Sequence, residues 1–265
     1  MRTVDQRVFL TKRYFDVVSD TGAWAIAYDA DLSFLGLQLR YRELTGTGIP
    51  PSCRTFGVRR KGDPSTTTFP FPGASAVWDG GETDQQLRFE NAALRWTLTH
   101  LRSRATVTAG STSPNGLGYG ESLVLKHPPW SLGVQELWWG RYLSADTFLT
   151  WIVADGPQPI RFGIINGEAT THVEANASGA TIANATVSLG DVYTQITFGD
   201  ALAGRPRLLA QLGRLCGGSD FGIRQSKAIY TACVKTRMRD ETGLVLAEHV
   251  TLGRSLGREL GKSPA

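Results

Sequence analysis

Apolar and polar residues alternate along this chain with a period of two, the spacing that puts side chains on one face of an extended strand. In 37–42, Leu37, Leu39 and Tyr41 alternate with Gln38, Arg40 and Arg42, and in 88–101, Ala92, Leu94, Trp96 and Leu98 share a face. The same reading predicts strands over 23–34, 74–79, 119–126, 134–143, 147–154, 160–166, 171–176, 180–188, 192–198, 227–239 and 244–252. Turn residues punctuate them at Asp79-Gly80-Gly81, Pro114-Asn115-Gly116, Asp155-Gly156-Pro157, Asn166-Gly167 and Thr242-Gly243. Asn166-Gly167 and the stretch from Arg239 to Gly243 read as tight hairpin tips. Helical spacing is confined to 205–215, where Leu208, Leu212 and Leu215 predict one short helix. The chain is therefore expected to be all-β, a sandwich or a closed barrel. There are too many strands for a single eight-stranded barrel, which favours two sheets or two barrels. The most linker-like central stretch is 110–117, Gly-Ser-Thr-Ser-Pro-Asn-Gly-Leu, so the expected domains are 1–115 and 116–265.

Composition narrows the function classes. With 265 residues, 41% of them hydrophobic and 20% charged, the chain can bury a substantial core. The 30 glycines and 12 prolines suit a turn-rich protein. Arg2, Asp5, Arg7, Lys12, Arg13, Asp16 and Asp20 interrupt any apolar stretch that a secretory signal would need. No run approaches the ~20 apolar residues of a membrane span. The expected location is cytoplasmic, so Cys53, Cys216 and Cys233 are expected to be reduced and the sequons at Asn176 and Asn184 unused. A net charge of +4 is mild, and its one tight cluster, Arg54, Arg59, Arg60 and Lys61, reads as a solvated loop. No base-stacking motif accompanies it, so nucleic acid is not an expected partner.

Motifs for several chemistries are missing. There is no G-x-S-x-G elbow, no C-x-x-C, and no close pair among His100, His127, His172 and His249. Gly116-Leu117-Gly118-Tyr119-Gly120 does not complete a dinucleotide fingerprint, and Gly257 to Ser263 is one residue short of a phosphate loop. No metal site is expected.

The informative block is central. It holds Gly118-Tyr119-Gly120-Glu121, then Trp130, then Glu136-Leu137-Trp138-Trp139-Gly140-Arg141-Tyr142, and runs on to Phe148-Leu149-Thr150-Trp151-Ile152-Val153. Aromatic walls, an acid, an arginine, a tyrosine and close-packing glycines are what a buried apolar site uses. Strand geometry puts Tyr119, Glu121, Leu123 and Leu125 on one face, with Glu121 its one charge. Arg141 could pair with Glu121 or Glu136. Without a cation, burial would keep Glu121 protonated, able to protonate an alkene or carbonyl beside aromatic faces that stabilise the resulting cation. Core packing of the tryptophans, and an exposed or structurally paired Glu121, are the plainer alternatives. Glu248 repeats the pattern among Leu246, Val250 and Leu252, and edge exposure accounts for it most simply.

Gly-Tyr-x-Glu, a Trp, Trp-Gly-Arg and an aromatic Trp-Ile strand together resemble the superfamily of carotenoid 1,2-hydratases, tocopherol cyclases and AttH-like proteins. Arg13-Tyr14-Phe15-Asp16 through Trp24-Ala25-Ile26-Ala27-Tyr28 is compatible with its start. The resemblance implies two packed lipocalin-like antiparallel β-barrels, a site near their junction, and no metal or organic cofactor. It implies hydration, cyclisation or pericyclic closure of an isoprenoid, polyene or polyketide. The hydratases carry a His/Asp-rich run after Gly-Tyr. Here Gly120-Glu121-Ser122-Leu123 stands instead, which puts cyclisation or isomerisation ahead of hydration. On this reading Glu121 is the acid, Arg141 orients the substrate and Tyr119 hydrogen-bonds it. Trp130, Trp138, Trp139, Trp151, Glu136 and Glu248 line the substrate. A non-catalytic carrier of an apolar molecule is the rival reading, and a homodimer is compatible with either.

Overall fold

The computed structural model describes residues 9–34, 37–50, 52–58, 67–81, 87–109, 113–127, 132–196 and 221–254. Every regular element among them is a strand. The first sheet contains β1 (Leu10–Val18), β2 (Trp24–Phe34), β3 (Leu37–Gly46), β4 (Arg54–Val58), β5 (Thr68–Phe71), β6 (Ala74–Asp79), β7 (Arg88–Glu90), β8 (Leu94–Ala109) and β9 (Asn115–Leu125). The second contains β10 (Glu136–Leu143), β11 (Phe148–Asp155), β12 (Ile160–Ile165), β13 (Glu168–Thr170), β14 (Val173–Asn176), β15 (Gly179–Ile182), β16 (Ala185–Ile196), β17 (Phe221–Lys235) and β18 (Asp240–Arg254). Asn115, Gly116 and Leu117 belong to β9, which pairs with both β1 and β8 in the first sheet. The helix expected over 205–215, Trp130, Cys216 and the Gly257–Ser263 segment lie outside the described residues.

Both sheets are antiparallel and curl into nearly closed barrels of the lipocalin-like kind. The first runs β4-β3-β2-β1-β9-β8-β6-β5, with β7 beside β8. Its ends approach: Arg42 of β3 donates to the Thr68 carbonyl of β5 at 2.9 Å, and its guanidinium lies 5.1 Å from the Phe69 ring. The second runs β13-β12-β11-β10-β18-β17-β16-β15-β14, so its two end strands are joined by only Thr171 and His172. Across that gap an added Cβ on Gly163 of β12 would stand 2.8 Å from Ile182 and 2.9 Å from Val173. The chain folds into two compact units. One comprises Met1–Pro128, Tyr142–Leu149 and Ile164–Thr170, and the other comprises Pro129–Arg141, Thr150–Gly163 and Thr171–Ala265.

Several elements differ from the periodicity reading. Tyr14, Phe15, Asp16 and Val17 are all buried, so β1 is covered on both faces and shows no alternation. The expected strand 180–188 is two strands turning at Ala183-Asn184, where Ala183 takes φ 49° and gives no glycine signal. Asn166 (φ 48°) and Gly167 (φ 92°) form the expected tight tip. The last hairpin instead turns at Thr236–Arg239, because Lys235 pairs with Asp240 and Gly243 sits inside the ladder opposite Ala232. Thr236 Oγ1 accepts the Met238 and Arg239 amides there.

Glycines set how closely the core packs. The first barrel's core gathers Phe15, Val17, Ala27, Leu44, Phe69 and Trp78. Gly118 and Gly120 of β9 face it, and a Cβ at each would stand 2.4 Å from Trp78 and 2.8 Å from Phe15. In the second sheet, a Cβ on Gly140 would stand 2.2 Å from Trp151. Overpacking of this sort typically costs about 1–3 kcal/mol. Gly118→Ala and Gly140→Ala should therefore each lower the urea midpoint by a corresponding amount with little change in slope. Gly116→Ala, whose nearest contact would be 3.7 Å away, should leave the midpoint almost unchanged.

Candidate functional site

Because Gly118 and Gly120 face the barrel core, Tyr119 and Glu121 point to the other side of β9. That side is buried as well: Tyr119 is 0% and Glu121 7% exposed. The register sets a row across the sheet, in which Glu121 stands opposite Tyr14 of β1 and Leu98 of β8, and Tyr14 stands opposite Tyr28 of β2. A bulge in β8 between Leu98 and His100 completes the arrangement. Before it, Trp96 and Leu98 share the Glu121 face; after it, His100 pairs with Gly120 and meets Phe15 at 5.2 Å. One strand thus serves two buried faces.

Glu121 is held by neutral donors. Trp96 Nε1–H and Tyr119 Oη–H both donate to Glu121 Oε2, each at 2.6 Å. Tyr14 and Tyr28 rings lie 5.3 Å apart, and Tyr14 and Tyr119 rings 6.3 Å apart. Phe148, which belongs to the same compact unit, stacks on Tyr119 at 6.1 Å. The Lys12 ammonium sits 4.7 Å from the Tyr28 ring centre, so this aromatic wall already accommodates a cation. Trp96 was missed by the sequence reading, which placed it only on an apolar face. Its signal is generic: a buried indole N–H needs an acceptor.

Glu43, farther along the same row opposite Tyr28, is anchored differently. It accepts from Arg54 Nε at 2.7 Å and from the Tyr41 hydroxyl. Burial, together with the Glu43 carboxylate beside it, pushes the Tyr41 phenol well above its ordinary range. Glu43 is thereby an ion-paired acid.

The remaining candidates lie in the second unit, where Glu136 is exposed at the start of β10. Trp138 stacks on His249 with centroids 3.7 Å apart and planes 3° from parallel. On the other face of β10 are Trp139 and Arg141, with Arg141 1% exposed. Trp151 fills the space over Gly140. Glu248 is not at an edge: β18 lies between β10 and β17, and Glu248 pairs with Lys227 Nζ at 2.7 Å. Lys227 also stands 4.8 Å over the Trp139 ring. Nothing in the sequence reading marked Lys227, because a lysine within an alternating strand looks like its solvent face. Among the described residues no group of three or more His, Cys, Asp or Glu side chains could hold a metal ion.

No family model and no curated protein matches this sequence. Solved structures do match its fold. A structure of CghA with Sch210972 aligns with a TM-score of 0.52 at 10% identity over 92% of this chain and 88% of that one. A Nitrosomonas europaea protein described as an AttH aligns with a TM-score of 0.50 at 10% identity over 91% and 92%. Kievitone hydratase from Nectria haematococca gives 0.47 at 9% identity over 92% and 89%. The chain shares its fold with CghA and with the Nitrosomonas europaea protein.

Proposed function

We propose that this protein is a cofactor-independent enzyme that protonates an apolar isoprenoid, polyene or polyketide through Glu121, leading to cyclisation or hydration. The observation that carries the reading is a buried carboxyl group held by two neutral donors on an aromatic face. The fold match to CghA, seen with Sch210972, supports ligand binding.

The chemistry follows from the geometry. A neutral carboxylic acid can accept both hydrogen bonds at its carbonyl oxygen and carry its proton on the other. Transfer of that proton to an alkene carbon or carbonyl oxygen leaves a substrate cation and a carboxylate. The Trp96 and Tyr119 donors stabilise the carboxylate, and the Tyr14, Tyr28 and Tyr119 faces stabilise the cation. Loss of a proton after ring closure, or from added water, returns the proton to Glu121. The same two hydrogen bonds would also satisfy a structural acid in a carrier, so turnover decides between the readings.

Linear polyenes and prenylated phenols, followed by mass spectrometry, test the proposal: hydration adds the mass of water, and cyclisation changes retention at constant mass. Glu121→Gln should fold, keep ligand affinity and lose about 10²–10⁴-fold in turnover. Undiminished turnover would remove Glu121 as the acid, and unfolding would make it structural.

Trp96→Phe provides a separate readout. It removes one hydrogen bond to the charged form of Glu121, which raises that group's pKa. Activity needs the protonated acid, so the alkaline fall of kcat should move to higher pH. An unmoved profile would leave Trp96 with packing alone.

A further inference from the structure

We infer that Lys227, Glu248 and Trp139 form an anchor for the anionic oxygen head, a carboxylate or enolate, of an otherwise apolar ligand. This deepens the substrate class proposed above but depends on the second unit alone, and it holds for an enzyme or a carrier.

The placement of the pair carries the inference. Lys227 and Glu248 are direct partners in the β17–β18 ladder, well inside both strands. Their side chains are 1% and 10% exposed. Alternation puts Lys227 on the same face as Ile229, so the pair lies on a buried part of that face. Its neighbours there are Ile196, opposite Lys227 in β16, and Ile229 and Leu246, two pairs along the ladder. All three are at most 3% exposed. An apolar pair would suit that position better for stability, since two desolvated charges seldom outperform well-packed hydrophobes. An ion pair kept there is more useful as a group that can exchange partners.

The surroundings specify the charge of the ligand. Arg141 is on the same face of β10 as Trp139, two residues along, and is buried. The Trp139 ring holds the ammonium by its negative face, leaving the N–H groups to point at oxygen. Glu248 is the more exposed partner, so a ligand head arriving from its side can replace it at Lys227 as one anion exchanging for another. The apolar neighbours would then receive the ligand's chain.

cis-Parinaric acid and its methyl ester test this directly, because they share a fluorescent polyene and differ only in the charge of the head. Wild-type protein should bind the acid about tenfold or more tighter than the ester, as a charge-assisted hydrogen bond would provide. Lys227→Met should abolish that preference and leave ester binding intact, while Lys227→Arg should keep it. Glu248→Gln, which removes the competing anion, should increase it. Equal binding of acid and ester by wild type, binding of neither, or a preference unaffected by both Lys227→Met and Glu248→Gln would overturn the inference. If Lys227→Met does not fold, the Glu248→Gln result decides: an increased preference supports the anchor and an unchanged one rejects it. Glu121→Gln should retain the preference whatever it does to turnover, so this anchor and the Glu121 acid fail separately.

Discussion

The central constraint on this molecule is that its sheets bury both faces where β1, β9 and β11 run. A sheet with one wet face can use polar residues at every second position. In β9 that option is closed. Gly118 and Gly120 fit against Trp78 and Phe15 on one side, and Tyr119 and Glu121 are enclosed on the other. The glycines allow the aromatic core to approach the backbone closely. The bulge in β8 then moves its buried residues from the Glu121 face to the core face along a single strand. The carboxyl's surroundings and the barrel's core are therefore two sides of the same few residues.

This double burial also explains what was legible in the sequence. Alternation identified the strands with one wetter face, and Asn166-Gly167 marked its turn because a left-handed tip favours those residues. It did not identify β1, where four consecutive residues are buried, or the turn at Ala183, where an alanine takes the left-handed conformation. The short strands β4, β5 and β13 were too brief to show a period. For the site, Tyr119 and Glu121 were readable from their offset of two. Trp96 was not, because its hydrogen bond spans 25 residues and depends on the β8–β9 register. Lys227 was not, because a long-range pairing with Glu248 hides a charge that local pattern assigns to solvent.

Glu43, Glu248 and Glu121 are held in three ways, and the differences bear on what each can do. Glu43 accepts from the Arg54 guanidinium, a planar fork of N–H donors. Glu248 faces an ammonium, a compact charge on a flexible stem that can turn to another anion. Glu121 receives an indole N–H and a phenol O–H, which stabilise a carboxylate without neutralising its charge. Burial opposes that charge, while the two hydrogen bonds favour it. The proposed proton transfer would use Glu121, whose hydrogen bonds from Trp96 and Tyr119 favour the carboxylate left behind.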